Sequence, residues 1–151
     1  MKTQSILGFL ATIFALALFL PSVSAFAQVN YIEINSLVLN EQNSFAFSAG
    51  ERLDLRVIFS SNNFSGVEED VRVTARVLGE PGISAVSERF DVLPNRLYSK
   101  PLTLVMPYDI DTSEKFVLEV TVESNSAIGD TFRVKLELQR NNYELEILSV
   151  E

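Results

Sequence analysis

The chain has 151 residues, a formal net charge of −8 at pH 7, and neither Cys nor His. Without Cys there is no disulfide, thiol nucleophile, zinc–thiolate or iron–sulfur site, and without His there is no Ser-His-Asp triad. The acidic balance argues against nucleic acid and anionic membrane surfaces as partners, because both are bound by basic patches. We therefore expect no catalytic residue, no cofactor-binding residue and no enzymatic activity.

Residues 1–27 have the pattern of a secretory signal peptide. Lys2 provides a short positive head, and an apolar run covers residues 6–20. Small residues then mark a cleavage site, best placed after Ala27, with an alternative after Ala25. The apolar run is shorter than the ~20 residues that cross a bilayer as a helix. A cleaved leader is therefore favoured over a retained membrane anchor or a pilin-type stem, and the mature protein is expected to be secreted or held at the cell surface.

Residues 28–151 are long enough for one domain and show period-two alternation of apolar and polar side chains. Turn-forming residues separate the alternating segments. The predicted strands cover residues 31–34, 37–39, 53–60, 71–78, 83–92, 98–106, 116–123, 132–139 and 143–148. The pattern predicts an all-β fold, a single antiparallel β-sandwich of about seven to eight strands behind an apolar signal helix, with an up-and-down barrel as the alternative.

Four segments of this region resemble an immunoglobulin-like module. They are RVTARVLG (72–79), ERFDV (88–92), YSKPLTL (98–104) and DIDTSEKFVLEVTV (109–122). The last segment combines a polar turn with the aromatic-x-Leu-x-Val-x-Val run that follows the E–F corner in such modules. The chain looks like the cell-adhesion-related and surface-layer-associated modules of archaeal and bacterial envelope proteins. The resemblance covers most of the domain and implies an immunoglobulin-like fold with an envelope or extracellular role, but no particular ligand.

One acidic segment is a candidate metal site. Asp109, Asp111 and Glu114 offer carboxylate oxygens at the start of a polar turn, as a Ca²⁺ loop would. An EF-hand loop needs Gly at its sixth position and an acid at its twelfth, and here those positions hold Glu114 and Val120. We favour a turn in which side chains bond nearby backbone amides. A looser Ca²⁺ site, completed by another loop, is the second interpretation.

A second acidic segment, Glu68-Glu69-Asp70, precedes a predicted strand. It could join a cation site or face a basic partner. We favour a solvated loop whose charges discourage edge-to-edge strand pairing.

Asn63-Phe64-Ser65 is a sequon for N-linked glycosylation. It lies in a polar loop after a predicted strand, where an oligosaccharide is tolerated. Phe64 is expected either to pack beneath that loop or to form an exposed contact.

Four aromatic residues are expected to pack in the core, and for two of them a ligand surface is the alternative. Phe45 and Phe47 alternate with Ala46 and could form an aromatic binding pair, although burial in the core or an edge strand is favoured. Phe116 and Tyr98 are interpreted as core anchors of the sandwich.

These features favour an exported, non-enzymatic structural or adhesion module of the cell envelope, with protein or glycan partners. The main alternative is a filament subunit that assembles by strand exchange, suggested by strand-like segments around Tyr31 and Tyr143. A third hypothesis is a Ca²⁺-stabilised adhesion module. Paired carboxylates for glycoside hydrolysis are compatible with the composition, but nothing in the sequence sets two of them at the required separation.

Overall fold

The period-two alternation produces strands in the computed structural model, which describes residues 25–79, 82–110 and 115–139. The strands are β1 (Ala27–Ile34), β2 (Leu37–Leu39), β3 (Ser44–Phe47), β4 (Arg52–Ser61), β5 (Glu68–Leu78), β6 (Ser84–Val86), β7 (Phe90–Val92), β8 (Leu97–Val105), β9 (Phe116–Glu123) and β10 (Ile128–Leu138). The all-β prediction is confirmed for these residues, which contain no helix and hence none that could cross a membrane. The apolar run at 6–20 and the predicted strand at 143–148 lie outside the described residues.

The strands form two sheets. The first has the order β2-β1-β4-β8 with antiparallel pairs, and the second has the order β3-β10-β9-β5-β6 with β7 also paired to β5. β3 crosses to the second sheet and runs parallel to β10, which corrects the expectation of purely antiparallel pairing. The described strands outnumber the expected seven to eight because residues 44–47 form a strand of their own and residues 83–92 divide into β6 and β7.

One hydrophobic core contains the inward-facing side chains of both sheets. Phe47 of β3, Phe59 of β4 and Leu118 of β9 are all fully buried in it. Phe47 packs edge-on against Phe116, with ring centroids 5.9 Å apart. Burial of one such side chain stabilises the fold by about 1.5–3 kcal/mol. Since the chain has no Cys, this core acts without a disulfide.

A two-residue turn joins β1 to β2. Asn35 and Ser36 have φ of 49° and 71°, the left-handed conformations that a type I′ hairpin turn requires. Asn35 also anchors the turn to β4, because its backbone N–H donates to the Asp54 carbonyl at 2.9 Å and its side-chain oxygen accepts from the Asp54 N–H at 2.9 Å. Asn is well suited to this position because it tolerates positive φ and supplies the acceptor.

β1 is a strand of the first sheet that is also hydrogen-bonded to the second. Ala27 begins its pairing with β4 in the first sheet, and the Val29 N–H donates a 2.8 Å hydrogen bond to the Asp130 carboxylate of β10 in the second. Ala27 and the preceding Phe26 are buried. The domain start expected at Gln28 therefore falls inside β1.

The strands at the sheet edges are short or contain residues that block further pairing. β2 and β6 have 3 residues each and β3 has 4. β8 has 9, but it contains Pro101, which lacks an N–H, and Lys100, whose Nζ lies 3.5 Å from the centre of the Phe90 ring. Proline and an inward-pointing charge both oppose edge-to-edge pairing. Over the residues that the structure describes, the two sheets therefore offer faces and loops to other molecules more readily than edges.

We predict that Phe47→Ala lowers the free energy of unfolding by about 3–5 kcal/mol, because it leaves a cavity at a fully buried position. The control is Val38→Ala in β2, whose side chain is 57% exposed. That change should cost under about 0.5 kcal/mol. Urea unfolding followed by circular dichroism measures both, and equal midpoints for the two variants would contradict the placement of Phe47 in the core.

Candidate functional site

The outer face of the second sheet contains a network of polar side chains joined by hydrogen bonds and ion pairs. It is centred on β9, which lies between β5 and β10. Because side chains alternate along a strand, Leu118, Val120 and Val122 enter the core while Glu119 and Thr121 lie on the outer face. The register then decides which side chains of the neighbouring strands stand beside them.

Glu119 is held between two arginines. Arg76 of β5 and Arg133 of β10 are both directly opposite Glu119 in the sheet. Arg76 donates through Nε to Oε1 at 2.7 Å, and its Nη2 pairs with the same oxygen. Arg133 donates through Nε to Oε2 at 2.8 Å, with Nη2 2.7 Å from that oxygen. The Glu119 side chain is 4% exposed, whereas the two arginine side chains remain 58% and 60% exposed.

The pKa of Glu119 reflects two opposing effects. Burial disfavours the charged carboxylate and by itself would raise the pKa. The hydrogen bonds and positive charges of Arg133 and Arg76 outweigh burial, so the pKa lies below its ordinary value of 4.5. Glu119 is therefore a buried carboxylate that remains ionised at neutral pH.

A row of threonines continues this face. Thr74, Thr121 and Thr131 stand side by side on the three central strands. Beyond them, Arg72 Nε donates to Glu123 Oε1 at 2.9 Å. The short threonine side chains leave a shallow depression of about 230 Å³. It lies between two charged rows, which are Arg76–Glu119–Arg133 on one side and Arg72–Glu123 on the other. Its lining offers hydroxyl, guanidinium and carboxylate groups within one small area.

The charge of this face differs from that of the whole chain. The charged residues that line the depression are Arg76, Arg133, Glu119 and Glu123, so its lining carries no formal net charge although the chain carries −8. Arg76 and Arg133, which with Glu119 form the Glu119 cluster, keep more than half of their side-chain surface in solvent. The face can therefore donate hydrogen bonds to carboxylate, carbonyl or sugar hydroxyl oxygens while the buried Glu119 holds the arginines in place.

The acidic run forms a second polar cluster at the start of β5. Glu68 accepts hydrogen bonds from the hydroxyls of Ser124 at 2.5 Å and Ser126 at 2.6 Å, and these two bonds hold its pKa below the ordinary 4.5. Asp70 has φ of 57° at an irregularity in the pairing of β5 with β7. Arg89 lies 3.6 Å from the Asp70 carboxylate. The run thus begins a strand and contacts the β9–β10 turn, in place of the solvated loop that we favoured.

The candidate metal residues are only partly described. Asp109 is exposed in the loop after β8, and Asp111 and Glu114 lie outside the described residues. Within the described ranges there is no group of three His, Cys, Asp or Glu side chains arranged to hold a metal ion. The Ca²⁺ interpretation of this loop stays a prediction.

The sequon lies on an accessible loop after β4. Asn63 is exposed, and its side-chain oxygen accepts a 3.2 Å hydrogen bond from the Asn95 amide. Phe64 is half-buried and packs against the core, as one of the two interpretations held. Glycosylation of Asn63 stays a prediction.

The aromatic candidates belong to the core. Phe45, Phe47 and Phe116 are buried, which confirms the favoured interpretation of each. Tyr98 is half-buried and stacks on Phe59 with ring centroids 5.2 Å apart. Its hydroxyl accepts a 2.7 Å hydrogen bond from the Leu93 N–H, so the ring anchors the turn before β8.

The Glu119 cluster was not anticipated from the sequence. Arg76, Glu119 and Arg133 each occupy a polar position of an alternating strand, which is where any solvated side chain is expected. Only the register of β5, β9 and β10 brings them together. The available signal was a Glu between Leu118 and Val120, in a segment that also contains Phe116, Val117 and Val122. Apolar side chains on both faces of a strand indicate a central position in a sheet.

A scan against protein-family models finds no match, and a search of curated proteins finds none either. Among solved structures, the chain is similar to the alkylpurine DNA glycosylase AlkC of Pseudomonas fluorescens, bound to DNA containing an abasic site analog, and to the sporulation control protein Spo0M of Bacillus subtilis. Each match has 14% identity and a TM-score of 0.47 over 75% of this chain. The matches cover 31% of the AlkC chain and 50% of the Spo0M chain.

We predict that Glu119→Gln lowers the free energy of unfolding by about 1–3 kcal/mol, because two charge-assisted hydrogen-bond pairs lose their anion. The matched control is Glu137→Gln. It removes the charged partner of Lys135 in an exposed ion pair within β10. The control should leave the urea midpoint unchanged. A Glu119 variant as stable as the Glu137 variant would contradict a stabilising role for the ion pairs of Glu119 with Arg76 and Arg133.

The same cluster predicts a pH dependence. The folded-state pKa of Glu119 is lowered, so its contribution to stability is present above the ordinary value of 4.5 and is lost as the pH falls through the folded pKa. Glu68 acts in the same direction. Thermal unfolding between about pH 6 and pH 3 should therefore show a shallower decline for Glu119→Gln than for the wild type. Parallel curves would contradict the lowered pKa.

Proposed function

We propose that this chain is an exported, non-enzymatic structural or adhesion module of the cell envelope, which acts through protein–protein or protein–glycan contacts. The leader-like segment at 1–27 supports export. The ordered polar face around Glu119 is the observation that carries the binding role, because its donors and acceptors are held in position before any partner arrives.

The strand order supports the immunoglobulin-like part of this proposal. In such folds strands A, B and E are neighbours in one sheet, and C, F and G in the other. Here β1, β4 and β8 are neighbours in one sheet, and β5, β9 and β10 in the other. On this correspondence β9 is strand F, and it contains the aromatic-x-Leu-x-Val-x-Val run from Phe116 to Val122. Strand D has no equivalent beside β8 within the described residues, where β7 pairs with β5 instead.

The edge strands favour this function over assembly by strand exchange. β1 contains Tyr31 and lies between β2 and β4, so donating it to a neighbour would break pairing on both sides. β8 is the long edge strand, and Pro101 interrupts its hydrogen-bonding capacity. Tyr143, at the other end proposed for exchange, lies outside the described residues.

We predict that Thr121→Lys abolishes binding of the purified exported protein to envelopes isolated from its own cells. The substitution places a long charged side chain in the depression between the two charged rows. The matched control is Thr103→Lys, an exposed position on the outer face of the first sheet. The control should bind as the wild type does, in a sedimentation assay with labelled protein.

Melting temperatures are measured first, so that only folded variants are compared. Equal binding by both lysine variants would contradict a contact through the second sheet. Absence of the wild-type protein from the envelope and medium fractions would contradict export. Turnover of a peptide or glycan library by the wild-type protein would contradict the non-enzymatic assignment.

A further inference from the structure

Phe26 is part of the folded domain, although it precedes the leader cleavage site that the sequence favours. Its side chain is 6% exposed, and the adjoining Ala27 is fully buried. Both lie against Gly129 of β10. A Cβ at Gly129 would stand 3.1 Å from two atoms of the Phe26 ring and 3.1 Å from the Ala27 Cβ. The missing side chain of Gly129 therefore provides the space that these two residues fill.

The backbone around Phe26 is also integrated with β4. Ala27 is paired with Ser61, and the Asn62 N–H donates to the Phe26 carbonyl at 2.9 Å. The Asn62 side chain donates in turn to the Ala25 carbonyl. These contacts continue the first sheet to Phe26, with Ala25 at its margin.

We propose that a signal peptidase hydrolyses the Ala25–Phe26 bond, so that Phe26 is the first residue of the exported domain. Water supplies the hydroxyl that completes the Ala25 carboxylate, and the Phe26 nitrogen leaves as the new α-amino group. Ala25 then occupies the −1 position and Val23 the −3 position, both of which accept small residues. The inference rests on the proposed export of the chain.

Cleavage after Ala27 would give a different product. It would remove the Phe26 ring and the Ala27 methyl group, and expose the surface of β10 at Gly129. It would also shorten β1 at the end that pairs with Ser61. Cleavage after Ala25 keeps all of these contacts. Among the described residues, it alters only the hydrogen bond that the exposed Asn62 side chain donates to the Ala25 carbonyl.

The direct test is the intact mass of the exported protein, purified from the envelope or medium of its own cells after expression of the full chain. We expect a mature protein that begins at Phe26. A protein that begins at Gln28, lighter by one Phe and one Ala, would overturn the inference and leave export intact. Uncleaved precursor within the cells would instead overturn the proposed export.

A second measurement does not depend on mass. Phe26→Ala in the full chain should lower the Tm of the exported protein by about 10 °C, because a buried ring is lost. Gln28→Ala is the control, since Gln28 is exposed and is retained after either cleavage. If residue 26 is removed with the leader, Phe26→Ala leaves the Tm unchanged, and that result would overturn the inference.

Gly129→Ala, combined with Phe26→Ala, gives a double-mutant cycle that tests the contact between the two residues. It should lower the Tm when Phe26 is present and have a smaller effect in the Phe26→Ala background, because the ring it crowds is absent. Additive effects of the two substitutions would contradict the contact between Phe26 and Gly129.

Discussion

The burial of one apolar face of each sheet against the other is the interaction on which the structure depends. The chain has no Cys, so no disulfide assists it. Large side chains from both sheets, Phe47 and Leu118 in one and Phe59 in the other, are removed from water in a single core. Since period-two alternation assigns every second side chain to that core, the same burial assigns the remaining side chains to the outer faces.

The polar face around Glu119 follows from this constraint. The buried positions Leu118 and Val120 fix the register of β9, and a shift of one residue would exchange the two faces of the strand. With that register, Arg76 and Arg133 stand on either side of Glu119. A carboxylate with little solvent access is tolerated there because both of its oxygens accept hydrogen bonds from charged donors. The core and the proposed contact surface are therefore coupled through one strand.

The sequence predicts the long strands well because their alternation is strict. The predicted strand at 116–123 coincides with β9, and those at 53–60 and 71–78 lie within β4 and β5. It predicts less of β3, β6 and β7, which are short and whose side chains do not establish a clear period. The parallel pairing of β3 with β10 depends on where the chain crosses between sheets, and local pattern does not encode that crossing.

The sequence alone does not reveal the candidate site or the first residue of the domain, and the reason is similar. Ion pairs across strands are set by register, so the role of Glu119 emerges only when β5, β9 and β10 are aligned. The first residue of the domain is set by packing, and small residues near Ala25 and Ala27 satisfy the processing pattern at either position. Phe26 is distinguished by the space beside Gly129, which is a property of a strand about a hundred residues away.

One shared core, to which β9 contributes Leu118, Val120 and Val122, holds both sheets together. Native-state hydrogen exchange tests it most directly. We predict that β9 amides exchange only on global unfolding, while those of the three-residue edge strands β2 and β6 exchange faster through local opening. Exchange in β9 that is as fast as in β2 and β6 would contradict it.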